Sequence, residues 1–194
     1  MEQRSKPKFD ARQMALIGVL SALVFALSWV QIQIPLAGDN TRIHLGNIMC
    51  LLSGVVFGPL VGGLSAGFGS MIFDFTNPLY ISEFWITFLT KFAMGFVAGL
   101  LAHRAFKNLH DLPRMLLGAA GGQLTYIVLY GAKSIIMQHW VYGNPWEAAL
   151  GVAAVKVGVS ALNGAIAVVG CTLLAPALKA ALRSAGLFKQ GHTA

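Results

Sequence analysis

The stretch that decides the fold runs from Ile43 to Phe75, IHLGNIMCLLSGVVFGPLVGGLSAGFGSMIFDF. Two apolar runs meet at Phe57-Gly58-Pro59, and glycines stand at 46, 54, 58, 62, 63, 67 and 69. In a soluble helix each such glycine costs about 1 kcal/mol relative to alanine. In a membrane the same residues let helix backbones approach closely. Polar residues flank the stretch: Arg42, His44 and Asn47 at its start, Asp74 at its end. The pattern predicts a helical hairpin, residues 44–57 and 60–76. It turns at one membrane face and brings its two polar ends together at the other.

The rest of the chain agrees with a membrane setting. Of 194 residues, 56% are hydrophobic and 11% charged, against about 25% charged in a soluble domain. The mean hydropathy is +0.68. The net charge of +7 does not read as a nucleic-acid patch, because the lysines and arginines lie between apolar segments, as topology signals do. No zinc spacing, P-loop or nucleophile elbow is present, so neither a metal nor a cofactor is expected. Cys50 and Cys171 sit inside apolar runs and read as small core hydrophobes rather than a disulfide.

Around the hairpin the hydropathy predicts four further helices: residues 11–30, 84–103, 113–138 and 148–178. The expected class is an all-α integral membrane protein with six transmembrane helices. It divides into a polar tail (1–10), a membrane domain (11–180) and a basic tail (181–194). Residues 31–43, with Pro35, Gly38 and Asp39-Asn40, read as a loop, as do residues 76–83. Trp140 and Trp146 suit a membrane interface. With six spans, one side collects Arg4, Lys6, Lys8, Arg12, Arg104, Lys107, Arg114, Lys179, Arg183 and Lys189, ten of the fourteen basic residues, and the other side only Arg42. The positive-inside rule then makes both termini cytoplasmic.

Three basic residues remain, Lys91, Lys133 and Lys156, one in each of the last three helices. Each falls roughly 8–12 Å below the outer helix end at 1.5 Å per residue. A charge at such depth is expensive and points to a functional site. Tyr126, Tyr130 and Lys133 share one helical face; Lys156, Ser160 and Asn163 share another; Phe84, Thr87 and Lys91 a third. Together they suggest a ligand pocket of a few polar groups on an apolar wall. Each lysine alone could instead snorkel or pair with Asp74 or Glu83. His44 reads as a hydrogen-bonding group at a helix start or in a loop. Asp74 reads either as a cap-like group or as a lysine partner.

On helix one, Ala11, Ala15, Gly18, Ala22 and Ala26 line one smooth face, suited to close contact with another helix. The run Arg42-Ile43-His44-Leu45-Gly46-Asn47, then Gly54-Val55-Val56-Phe57-Gly58-Pro59, then Gly62-Gly63-Leu64-Ser65-Ala66-Gly67 and Asp74, resembles the substrate-binding S components of energy-coupling factor (ECF) transporters, most of all the riboflavin-type branch. The resemblance spans residues 11–180. The family pattern often carries Asp where this chain has Asn47.

The resemblance implies a non-enzymatic subunit of an ABC-type importer in the bacterial plasma membrane. It would bind a vitamin or vitamin precursor from outside, in a pocket formed by helices four to six and covered by residues 31–43 and 76–83. Site residues would then be Arg42, His44, Asn40, Asn47, Asp74, Thr87, Lys91, Tyr126, Tyr130, Lys133, Lys156 and Asn163. The Ala-x-x-x-Ala pattern of helix one would dock on a T subunit, two ATPases would supply energy, and the S component would topple to release its cargo. Rival readings from the residues are a membrane enzyme acting on an anionic lipid or isoprenoid headgroup, and a self-sufficient secondary transporter. The first would need a carboxylate cluster or general base near the lysines. Asp74 and Glu83 are the candidates, and they lie apart in sequence. The second would need inverted repeats.

Overall fold

The computed structural model describes residues 10–36 and 39–186; expectations for residues 1–9 and 187–194 lie outside the described residues. The chain is mostly helical. Among the described residues there are six α-helices: α1 (Ala11–Ser28), α2 (Gly46–Phe57), α3 (Pro59–Thr76), α4 (Phe84–Leu100), α5 (Asp111–Ile136) and α6 (Trp146–Ser184). A 3-10 turn, Ile81–Glu83, leads into α4. Both α4 and α5 end in a π-helical turn, Leu101–Ala105 and Met137–Val141. Asp10 closes a capping box with Gln13 at the start of α1. α6 carries Pro176 inside it and continues to Ser184, past the expected end at 178.

The all-α expectation needs one correction. Residues 31–43, expected as a loop, form an antiparallel hairpin of β1 (Gln31–Leu36) and β2 (Asp39–His44), with Gln31 opposite His44 and Ile34 opposite Thr41. The alternation Gln31-Ile32-Gln33-Ile34 is a strand signal, and its β-branched residues favour the pleated form.

A second refinement concerns the spans. Among the described residues, four segments are long and apolar enough to cross a membrane: Ala11–Ser28, Ile81–Ala105, Asp111–Val141 and Trp146–Ser184. With its 12 residues, α2 is about 18 Å long, well short of a hydrocarbon core of about 30 Å. It is instead the axis of the bundle. Asn47, Met49, Cys50, Leu51, Val55 and Val56 are buried, and α1, α3, α4, α5 and α6 all pack against it. A short helix is tolerated at membrane depth when protein surrounds it.

Two features of the opening stretch set the packing. Gly58 has φ +92°, a left-handed conformation that only glycine adopts cheaply, and it reverses the chain from α2 into α3 with Pro59 at the first helical position. Gly54, Gly62 and Gly95 then form a close crossing of α2, α3 and α4. A Cβ on Gly95 would lie 2.5 Å from the Gly62 carbonyl oxygen and 3.1 Å from the Ala66 Cβ. At the Gly58 end, Arg12, Phe57 and Leu182 line one groove, so the start of α1, the α2–α3 turn and the end of α6 lie together.

Candidate functional site

At the other end of the bundle the helices diverge around a cavity of about 90 Å³. Its lining includes the twelve site residues that the resemblance implied. β2 supplies Asn40, Arg42 and His44; α2 supplies Asn47; α3 supplies Asp74. Thr87 and Lys91 come from α4, Tyr126, Tyr130 and Lys133 from α5, and Lys156 and Asn163 from α6. Phe84, placed on the Lys91 face by spacing, packs instead edge-on against Phe75.

The three lysines meet different fates. Lys91 is 2% exposed; its Nζ donates to Asn47 Oδ1 and lies 3.7 Å from the centre of the Tyr126 ring. Lys156 is 3% exposed, with Nζ 5.9 Å from the Tyr130 ring centre. Neither snorkels to an interface. Lys133 forms an ion pair with Glu83, which ties the 3-10 turn to α5. Tyr126 and Tyr130 stack on one another, centroids 5.4 Å apart, so the three ammonium groups gather around one aromatic pair. Such cation–π contacts stabilise a desolvated cation.

Arg42 acts as a clamp. Its guanidinium donates to Asp74 Oδ1 at 3.1 Å and to Gln31 Oε1 at 3.3 Å, and it lies over the rings of Phe73 and Tyr80 at 4.0 and 4.4 Å. One side chain thus joins β1, α3 and the segment before α4. Asp74 is the partner of an arginine rather than of a lysine.

Asn163 plays a comparable part from α6. Its Nδ2 donates to the Arg42 carbonyl at 2.7 Å, and its Oδ1 accepts the His44 backbone N–H at 3.0 Å. The amide therefore behaves like the next strand of the hairpin, satisfying β2 groups that would otherwise lack partners. The backbone of His44 is engaged, whereas its buried imidazole Nδ1 has no hydrogen-bond partner. Nor do Asn47 Nδ2 and Ser160 Oγ. All three lie on the cavity wall.

Sequence reasoning left Thr41, Tyr80, Thr90 and Tyr142 out of the lining. Thr41 and Tyr80 lie on segments read as loops, where helical spacing gives no facing. Thr90 sits one residue before Lys91, and its hydroxyl is turned back to the Thr87 carbonyl.

Outside the cavity lining, Ala11, Ala15, Gly18, Ala22 and Ala26 are all exposed on α1. Gly18 and Ala22 border an apolar groove shared with Phe68 and Ile72 of α3. Trp140 and Trp146 are also largely exposed, packed around His139, which stacks on Trp146 with centroids 4.0 Å apart. That placement suits an interface anchor.

Comparison with known proteins bears on this arrangement. The family model described as "ECF-type riboflavin transporter, S component" matches residues 8–180. A protein of the Pyrococcus woesei gap 3′ region is 29% identical over 106 residues, covering 55% of this chain and 68% of the relative. A UPF0397 protein of Enterococcus faecalis is 29% identical over 146 residues, covering 72% of this chain and 76% of the relative. Among solved structures, the S component of a bacterial ECF transporter superposes with a TM-score of 0.63 at 17% identity, covering 88% of this chain and 97% of the other. At that identity the likeness speaks for the fold.

Proposed function

The chain belongs to the ECF-type riboflavin transporter S component family, and on that premise we propose that it captures a water-soluble vitamin or vitamin precursor from outside the cell and delivers it through a T subunit driven by two ATPases. Membership makes it the substrate-binding component of a transporter rather than an enzyme. The observation that carries the finer reading is the cavity: four cationic side chains, two stacked tyrosines and three buried polar atoms without partners converge in one space. A wall that leaves polar atoms unsatisfied is costly unless something binds there.

The cavity as it stands is small beside the roughly 300–1,000 Å³ of a pocket that encloses a drug-sized ligand. Cargo therefore enters by displacing the covers, the β1–β2 hairpin and residues 77–83. Arg42–Asp74 and the two hydrogen bonds of the Asn163 amide hold the hairpin, and Lys133–Glu83 holds the second cover. The family resemblance supports release by toppling of the whole subunit in the membrane.

Orientation follows from charge. Arg12 and the end of α6 lie together at the Gly58 end, and the positive-inside rule assigns that end, with both termini, to the cytoplasm of a bacterial plasma membrane. The exposed α1 stripe of Ala11, Ala15, Gly18, Ala22 and Ala26 is the docking face for the T subunit.

Co-expression with a T subunit and ATPases is the direct test. We expect a stable complex and ATP-dependent uptake. Gradient-driven uptake by the chain alone would overturn this reading in favour of a secondary transporter, and chemical turnover by the isolated chain would overturn it in favour of an enzyme.

A further inference from the structure

Resting on the S-component reading, we propose that Lys91 positions the Asn47 amide, and that this amide selects cargo whose inner end presents a hydrogen-bond acceptor, a carbonyl oxygen or an unprotonated ring nitrogen, in place of a donor. An ammonium has three donors and no acceptor, whereas a side-chain amide has one accepting end and one donating end. Lys91 Nζ donates to Asn47 Oδ1. The reverse orientation would set the amide N–H groups against the ammonium, donor against donor. A neighbour of one-sided chemistry settles which way round an amide stands, and Lys91 is that neighbour.

The consequence falls on the other end of the amide. Asn47 is 1% exposed, in the first turn of α2, and its Nδ2 has no hydrogen-bond partner. A buried donor left without an acceptor is costly, and Asn47 stands on the cavity wall. The other wall atoms named above as lacking partners have no fixed sense. The His44 imidazole Nδ1 donates or accepts according to its tautomer, and the Ser160 hydroxyl according to its rotation. The Thr90 hydroxyl already gives its proton to the Thr87 carbonyl. Among these atoms Asn47 Nδ2 is the one whose sense is set in advance. A cargo acceptor satisfies it, whereas a cargo donor placed there leaves both itself and the amide unpaired. Lys91 Nζ also lies over Tyr126, which stacks on Tyr130, so the same corner offers an aromatic face to a flat ring.

The test uses purified full-length protein in detergent and two flat probes of opposite sense: pyrimidine, whose ring nitrogens only accept, and pyrrole, whose ring N–H only donates. Thermal unfolding is followed as each is added. We expect a saturable rise in Tm with pyrimidine and none with pyrrole. Asn47→Asp keeps the shape and an oxygen toward Lys91 and lacks the N–H alone, so the protein should still fold and its pyrimidine response should be lost. Lys91→Gln offers an acceptor as well as donors, which releases the amide, so the preference between the probes should vanish; a lysine that merely supports the fold would leave that preference in place. No rise with pyrimidine, an equal rise with pyrrole, a response that survives in Asn47→Asp, or a preference kept by Lys91→Gln would overturn the proposal. Native mass spectrometry gives a second reading. A small molecule retained by the wild type and missing from folded Asn47→Asp supports the proposal, and equal retention overturns it while leaving the S-component reading intact. Failure of that reading would show separately, as failure to assemble with a T subunit and ATPases.

Discussion

Two stripes of small residues run through this chain and do opposite things. Gly54, Gly62 and Gly95 sit inside the bundle, where a Cβ on Gly95 would run into the Gly62 peptide. On α1, Gly18 has open space where its Cβ would be, and Ala11, Ala15, Ala22 and Ala26 are exposed beside it. By sequence the stripes look alike: small residues at helical spacing, fit for close helix contact. The difference is that one has met its partner within the chain and the other has not. A small-residue face thus predicts a helix contact without saying whether the partner is internal.

The buried stripe also positions the cavity. Lys91 lies one turn from Gly95 on α4, and Asn47 two turns from Gly54 on α2. The same close approach that packs these helices at one level brings Lys91 onto Asn47 at the next. This gives the comparison consequences that can be measured.

The largest effect is expected at the buried stripe. Gly95→Leu drives a branched side chain into the α3 backbone, and it should abolish a monodisperse, folded protein, read by size-exclusion chromatography in detergent. A well-folded variant would show that the crossing yields more easily than its geometry indicates. Next comes the exposed stripe. Ala22→Trp should abolish uptake by the assembled transporter while cargo binding by the isolated chain stays within about twofold, the scatter of a surface change that touches no site. Binding lost together with uptake would mean that α1 packs inward in the working state.

At the cavity, Lys156→Ala and Lys133→Ala should each weaken cargo binding by about tenfold or more, the worth of a charge-assisted hydrogen bond, with the helical circular dichroism spectrum unchanged. Lys133→Ala carries the added loss of the Glu83 link, so it should also speed cargo release. Affinity unchanged from the wild type in both variants, measured by calorimetry, would remove the lysines from the binding account. The smallest effect is at Gly18. Gly18→Ala meets no obstruction and gains up to about 1 kcal/mol of helix propensity, so the Tm of the isolated chain should hold or rise slightly. A marked fall would place α1 against something inside the bundle.

How much of this was legible in the sequence follows from the physics of each element. The hairpin turn at Gly58-Pro59 was legible because a glycine with Pro after it is a local signal. The cavity residues were legible because intramembrane charges are scarce and helical spacing fixes their facing. Lys91, Lys133 and Lys156 on three helices therefore implied convergence before any coordinate did. The β1–β2 hairpin was not, since the turn residues at 35 and 38–40 drew more weight than the short Gln-Ile alternation before them. With the hairpin went the role of Asn163: its amide serves the β2 backbone, a use that exists only once β2 does. The partner of Asp74 was equally hidden, because Arg42 reaches it across 32 residues of chain and lysines were nearer in the helical reckoning.

The central claim is that the Lys91 end of this cavity holds the cargo. Native mass spectrometry of wild type and Lys91→Gln, purified side by side from the same cells, tests it most directly. The account predicts a small molecule retained by the wild type and largely absent from a folded Lys91→Gln protein. Equal retention by both would contradict it.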